Sequence, residues 1–211
     1  MGRGIGDDVI RPLKNALDDL PVHVRQLGEM FRRHGQNQRR NNDGVVDIDT
    51  FDTTVTSRGR NSKTTYWDPE TGRPMSEQGT ILDDFGSSTR GDNATDVGNL
   101  GRTTDDGGHL GGHRFYGDTP DAGIVPQAAN LNRGAWKTME NEWAAWANKG
   151  YQVDYNIDVY PPGAVRPDSF EVDYTVTNPA TGDVVHRDWP SFWNESGESF
   201  DRVQRRNMPG I

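Results

Sequence analysis

Three short stretches of this 211-residue chain carry side chains whose types and spacing could do chemistry together. The first, Asp105-Asp106-Gly107-Gly108-His109-Leu110-Gly111-Gly112-His113, sets a histidine among glycines with two carboxylates ahead of it. Glycines allow a ligand or another backbone to come close, so the imidazole of His109 can stand at the rim of a cleft. With an ordinary pKa of about 6.5 it is mostly a free base at neutral pH and can take a proton from water. Asp106 can accept from one ring nitrogen and leave the other for chemistry. A histidine in such a stretch can equally be a solvated surface residue. The second stretch is Ile124-Val125-Pro126-Gln127, a β-like piece. The third, Asn130-Leu131-Asn132-Arg133-Gly134-Ala135-Trp136, opens a Trp-rich helix that carries Glu140.

Asn132 and Glu140 are separated by about 80° on a helix wheel at 3.6 residues per turn, so both can line one groove with Trp136 packed beside them. An amide oxygen near a carboxylate is hard-oxygen chemistry, suited to Mg2+ or Mn2+ that keeps most of its waters. The competing role for Asn132 is a helix N-cap, and for Glu140 a solvated helix charge. His113, four residues after His109, invites comparison with a two-histidine metal pair on a helix. The surrounding glycines and the lack of helical period argue against it.

The elements that must position these groups are legible in part. Trp136, Met139, Trp143 and Trp146 recur at three and four along one face, predicting a helix over 132–149 with Gly150 as its stop. That face is either a core surface or a base-stacking platform. Alternation in Tyr151, Val153, Tyr155, Ile157 and Val159, and again in Phe170, Val172, Tyr174 and Val176, predicts two strands. Asp68-Pro69-Glu70-Thr71-Gly72 after Thr64-Thr65-Tyr66-Trp67 reads as a hairpin turn, and Asn178-Pro179-Ala180-Thr181-Gly182 as another. Residues 83–108 are rich in Gly, Asp, Ser and Thr and predict a long connection without elements of its own. Upstream, Ile10, Leu13, Leu17 and Leu20 recur at helical spacing, with Pro21 interrupting before Val22, Val24, Leu27, Met30 and Phe31. Residues 35–44 are polar and aperiodic. The expected organisation is therefore a helical leader and linker over 1–60 and an α+β domain over 61–211.

Composition narrows the function classes. The formal charge is −9, from 23 Lys and Arg against 32 Asp and Glu, and the excess acid lies after residue 60. A broad phosphate-coating surface wants the opposite sign, whereas an enzyme meeting phosphate at one small, metal-neutralised spot does not. Having no cysteine excludes a disulfide scaffold, a thiol nucleophile and thiolate metal sites. No apolar run is long enough to span a bilayer, and the N-terminus lacks a secretory signal's apolar stretch.

Taken in order, DDGGHL, IVPQ and LNRGAWKTMENEW resemble the active-site hairpin and helix of the DNA/RNA non-specific endonucleases with a ββα-metal fold. Within that family they are most similar to the C-terminal nuclease domains of bacterial polymorphic toxins. The likeness covers about residues 64–177. It implies an antiparallel sheet with a ββα-metal core, His109, the last position of Asp106-Gly107-Gly108-His109, as general base, and Asn132 as the direct metal ligand. Glu140 would hold the waters of a Mg2+ or Mn2+ ion. Two positions depart from the family pattern: Gly107, where Arg is frequent, and Gly123, where Asn is frequent. The missing positive charge is then expected from Arg90, Arg102 or Arg133, with Arg102 nearest the motif in sequence. The resemblance further implies DNA as substrate with RNA as a second candidate, a cognate immunity protein, and delivery as a secreted effector into a target-cell cytoplasm. The alternative is an inactive protein-interaction module that lost its chemistry along with Gly107 and Gly123.

Overall fold

A computed structural model describes residues 52–86 and 90–210. The helical leader expected through Ile10 to Phe31 and the polar stretch 35–44 lie outside the described residues. The first strand, β1 (Asp52–Arg58), precedes the boundary expected at residues 60–61. It pairs with β2 (Asn61–Trp67), so the sheet takes in part of the stretch read as linker.

The main sheet is antiparallel and runs β1-β2-β3-β6-β7-β8, with β3 at Pro74–Ile81, β6 at Gln152–Tyr160, β7 at Ser169–Thr177 and β8 at Val184–Asp188. A short β9 (Ser191–Trp193) also pairs with β7. Both turns expected from sequence are present: Gly72 and Gly182 sit at φ 64° and 79°, and their amides donate to the carbonyls of Asp68 and Asn178. The alternation in β6 and β7 buries Val153, Tyr155, Ile157 and Val159 with Phe170, Val172, Tyr174 and Val176 on one face.

Against that face lies helix α3, in three consecutive segments: an α turn Ala129–Leu131, a π-helical turn Asn132–Trp136 and an α-helix Lys137–Ala147. Trp136, Met139, Trp143 and Trp146 are all buried; Trp143 stacks on Tyr155, and Trp136 meets Phe170 and Phe192 edge-on or tilted. The tryptophan face is core. Trp143→Ala would cost about 3–5 kcal/mol through lost burial and the cavity left behind.

The second sheet is a hairpin of β4 (Asp105–His109) and β5 (Ile124–Ala128), which passes directly into α3 and forms a ββα unit. The architecture is α+β. The stretch 83–108 is not devoid of elements, as its composition had suggested. Helix α1 (Ala94–Gly98) forms within it, and Ala94 and Val97 pack with Ile124 of β5. Its two apolar side chains, too few to show a period, seat it on β5.

A buried ion pair locks the long β4–β5 connection, which includes helix α2 (His113–Tyr116), onto the main sheet. Lys63 Nζ donates to Glu77 Oε2 (2.9 Å) and to the carbonyl of Ala122 (3.1 Å). Glu77 also accepts from Thr65 Oγ1, Tyr155 Oη and the amide of Gly111. A side chain at Gly123 would strike the Glu77 carboxylate, and φ there is +71°. Packing thus accounts for this departure from the family pattern.

Candidate active site

β4, the start of α3 and the segment leading into α1 surround a cavity of about 160 Å³ lined by Arg90, His109, His113, Arg114, Asn132, Arg133, Lys137 and Glu140. Five of the seven residues singled out from the sequence are here: Arg90, His109, Asn132, Arg133 and Glu140.

His109 closes β4 and is 4% exposed. Its carbonyl accepts the indole N–H of Trp136 (3.1 Å), which ties the strand to α3. Its Nε2 lies 2.7 Å from Asp92 Oδ2. The bond to His109 is the main cause that holds the Asp92 carboxyl at about 2, so Asp92 is ionised and can only accept. Nε2 must therefore carry the proton, and Nδ1 keeps its lone pair. Burial pulls the His109 pKa below its ordinary value; Asp92 opposes this, while Lys63 and Arg90 add to it. Burial wins over the carboxylate, and the ring is a neutral base at pH 7.

Asp106 does not orient His109, contrary to expectation. Side chains three apart on a strand leave opposite faces, which separates the two. Asp106 instead accepts from Asn132 Nδ2 (3.0 Å), Arg133 Nε (2.7 Å) and Arg133 Nη2 (2.5 Å). Burial pushes its carboxyl up, but these donors outweigh burial and leave it below the ordinary range.

Asn132 is not an N-cap: it starts the π turn inside a helix already under way. Such turns interrupt the α repeat and re-aim the side chains they contain, so the wheel angle expected from a continuous α-helix does not hold across it. Because Asp106 can only accept, the amide nitrogen of Asn132 must face it, and Oδ1 is left without a partner among the described residues. Glu140, one segment on, also has no hydrogen bond among the described residues. Its carboxylate lies against Gly112, where a Cβ would come within 2.6 Å of Oε1. Burial raises its pKa to about 7, against the pull of Arg114, Arg90 and Lys137. A free amide oxygen and a carboxylate that accepts no hydrogen bond among the described residues are a donor set that fits a hard divalent cation.

Four cationic side chains line the cavity. Arg114 is held by Asp84 (2.9 and 2.8 Å) and Asn141 (2.6 Å), and Arg133 by Asp106. The side chains of Arg90 and Lys137 form no ion pair or hydrogen bond among the described residues and can meet an incoming anion. Arg102, expected to grip phosphate, does not line this cavity. It pairs with Glu195 (2.7 Å) in a surface contact whose two side chains are 56% and 51% exposed. Proximity in sequence misled because the chain turns at 102 before β4 begins. Arg102's amide donates to Asp105, whose carboxylate also holds Arg166. A neighbouring cavity of about 290 Å³ shares Arg90, Asn132 and Arg133 with the first and adds Thr95 and Asn99.

Gly107, the other departure from the family pattern, also has a packing cause: any Cβ there would run into the Ala94 carbonyl. Beside His109, the His113 ring stands 5.6 Å away and T-shaped, with Nε2 2.9 Å from Asp118 Oδ1. Asp92, His113 and Asp118 place one ligand atom each within 4.8 Å of one another, a spacing that a metal ion could bridge. Sequence reasoning missed Asp92, Arg114 and Lys137. Lys137 was within reach, because Lys137 and Glu140 are three apart on the α-helical segment, the spacing of one face.

A neutral imidazole with one lone pair, an amide oxygen and a carboxylate, ringed by cations, are the kinds of group that attack of water on a phosphate ester calls for. Residues 56–178, more than half of the chain, match the family of DNA/RNA non-specific endonucleases, and the chain belongs to that family. It is a nuclease, and nucleic acid is its substrate. Comparison with curated protein sequences finds no match. Among solved structures the chain is similar to NucA from Streptococcus agalactiae with no metal bound, at 14% identity and a TM-score of 0.48, covering 76% of this chain and 78% of that one. NucA with a magnesium ion bound is similar at 11% identity and a TM-score of 0.49, covering 71% and 85%. Among the described residues no helix is long and apolar enough to cross a membrane.

Proposed function

We propose that the chain is a metal-dependent endonuclease that hydrolyses DNA and RNA phosphodiester bonds with little regard to sequence, and that it serves as a bacterial toxin effector. The presence of His109, Asn132 and Glu140 together in the lining of one cation-lined cavity carries the catalytic part of this reading.

Arg90 and Lys137 draw a backbone phosphate into the cavity, where the local positive field acts against an acidic whole. His109 Nδ1 takes a proton from a water molecule, whose oxygen attacks phosphorus in line with the leaving 3′ oxygen. The P–O3′ bond breaks, the 3′ oxygen takes up a proton from solvent, and a 5′-phosphate end results. Asn132 Oδ1 would hold a divalent cation directly, and Glu140 would hold its waters. When bound, such an ion (Mg2+, or Mn2+) supplies Lewis-acid stabilisation of the charge that builds on the phosphate oxygens. Asp106 keeps the Asn132 amide turned the right way and Arg133 beside it. A set that addresses backbone phosphate and a metal suits a sequence-tolerant enzyme.

The toxin role, delivery into a target-cell cytoplasm and a cognate immunity protein that covers the cavity rest on the resemblance of the motif set to polymorphic-toxin nuclease domains. Gly107 and Gly123, the departures that suggested an inactive interaction module, are both required by close packing. The test is plasmid cleavage by the purified chain. His109→Ala should abolish cutting with the circular dichroism spectrum unchanged, and EDTA should stop it until Mg2+ or Mn2+ is returned. Cleavage by the variant at the wild-type rate, or activity indifferent to chelation, would overturn the reading. Killing of a host by the wild-type chain but not by His109→Ala, relieved by the product of a neighbouring gene, tests the toxin role.

A further inference from the structure

We propose that Asp92, which lies outside the motif, is the positioning residue for His109: it accepts the Nε2 proton, fixes the tautomer and leaves the Nδ1 lone pair for the cavity. The activity part of this inference rests on the nuclease reading; the tautomer part stands without it.

The contact is short and dry, 2.7 Å between side chains that are 3% and 0% exposed. Asp92 is itself clamped. Its Oδ1 accepts the amide of Ala94 (3.3 Å) at the start of α1. The residue after it, Asn93, exchanges two hydrogen bonds with Asp121 (2.7 and 2.9 Å). The residue before it, Gly91, donates its amide to Asp118 (2.8 Å), which also serves His113. A carboxylate held on both sides by its neighbours can hold an imidazole in turn.

The glycine at 107 makes the pairing possible. With no side chain there, the Ala94 backbone rests directly on β4. Asp92 lies two residues before Ala94 and His109 two residues after Gly107, so this one close approach brings carboxylate and imidazole together. An arginine at 107, frequent in the family, could not occupy that space without moving α1 and Asp92 away. Losing one phosphate-binding side chain thus goes with gaining a second anchor for the base, while Arg90 and Lys137 remain to meet phosphate.

In serine hydrolases an aspartate that orients the catalytic histidine lowers kcat by about 10⁴-fold when changed to asparagine, because the amide favours the wrong tautomer. Asp92→Asn should act in the same sense here, lowering kcat by about 10²–10⁴-fold, the span a general base contributes. KM should stay nearly constant, because Asp92 does not line the cavity. Asp92→Glu should restore part of the loss, and Gly107→Ala should mimic Asp92→Asn by displacing α1.

The deciding experiment is long-range 1H–15N NMR of the histidine rings in 15N-labelled, full-length protein kept in EDTA. Wild type should show His109 neutral and protonated at Nε2, and Asp92→Asn should lose that preference while the melting temperature stays within a few degrees. A wild-type ring protonated at Nδ1 would overturn the proposal, as would an Asp92→Asn protein with the same tautomer and undiminished kcat. If the Nε2–H form requires an added divalent ion, a metal bridging Asp92, His113 and Asp118 orients the ring and the proposal fails. If the tautomer depends on Asp92 but wild type cuts no nucleic acid, the pairing stands and the nuclease reading falls.

Discussion

Glu140 gives a quantitative handle on the metal site that does not depend on turnover. Burial raises its folded pKa from 4.5 to about 7. In the unfolded chain the carboxyl ionises near its ordinary value, so between the two pKa values the unfolded state has released its proton and the folded state has kept it. The folded state binds more protons there, and stability must fall as pH rises through that window. Each unit is worth about 1.36 kcal/mol, and some screening reaches a side chain that is only half-buried, so the metal-free protein should lose roughly 2–3 kcal/mol. For a domain of this size that is roughly 5–10 °C in melting temperature. Glu140→Gln removes the ionisation, so in EDTA the variant should match wild type at pH 4 and melt higher than wild type at pH 8. A divalent cation reverses the order: Mg2+ should raise the wild-type melting temperature more at pH 8 than at pH 5, and should do little for Glu140→Gln. Thermal melts of both proteins at these pH values, with EDTA and with Mg2+, measure the difference directly. Other titrating groups cancel between the two proteins. A wild-type minus variant difference that is flat with pH would refute the reasoning about Glu140.

Further outcomes follow from particular contacts. Asp106→Ala should leave the His109 tautomer intact but free the Asn132 amide to rotate, so the Mg2+ concentration for half-maximal cleavage should rise at least about tenfold, a loss of about 1.4 kcal/mol. Arg90→Ala and Lys137→Ala should each raise KM and weaken its dependence on salt, whereas Arg102→Ala, which breaks only an exposed pair, should change neither KM nor kcat beyond about twofold. Lys63→Met strands the buried Glu77 carboxylate and should cost about 3–5 kcal/mol in a urea melt, loosening the β4–β5 connection with it.

Where the sequence was informative, the signal was periodic or local. Strict alternation in β6 and β7 and the three-and-four spacing of Trp136, Met139, Trp143 and Trp146 identify both sides of the core, since burial on one face imposes the same period on the residues that supply it. The two turns were legible because glycine at a positive φ leaves a local mark. The ordered set DDGGHL, IVPQ and LNRGAW carried the family, and with it His109, Asn132 and Glu140 as candidates. The neighbourhood of the motif was less well read. Asp106 was assigned to His109 because it is close along the chain, yet an odd spacing on a strand sends the two side chains apart. Arg102 was favoured on the same ground and lies in a surface pair with Glu195.

Residue types and their periods, then, determined which side chains are available for proton transfer and cation binding and which faces are buried. Tertiary structure alone decided which partner each one has. Asp92 reaches His109 because a glycine on β4 admits the Ala94 backbone. Asn132 keeps its oxygen free because a carboxylate on the neighbouring strand takes its nitrogen. Each of these pairings joins segments whose separation along the chain carries no periodic signal; it is set by where backbones can approach each other and by which buried polar atoms need a partner.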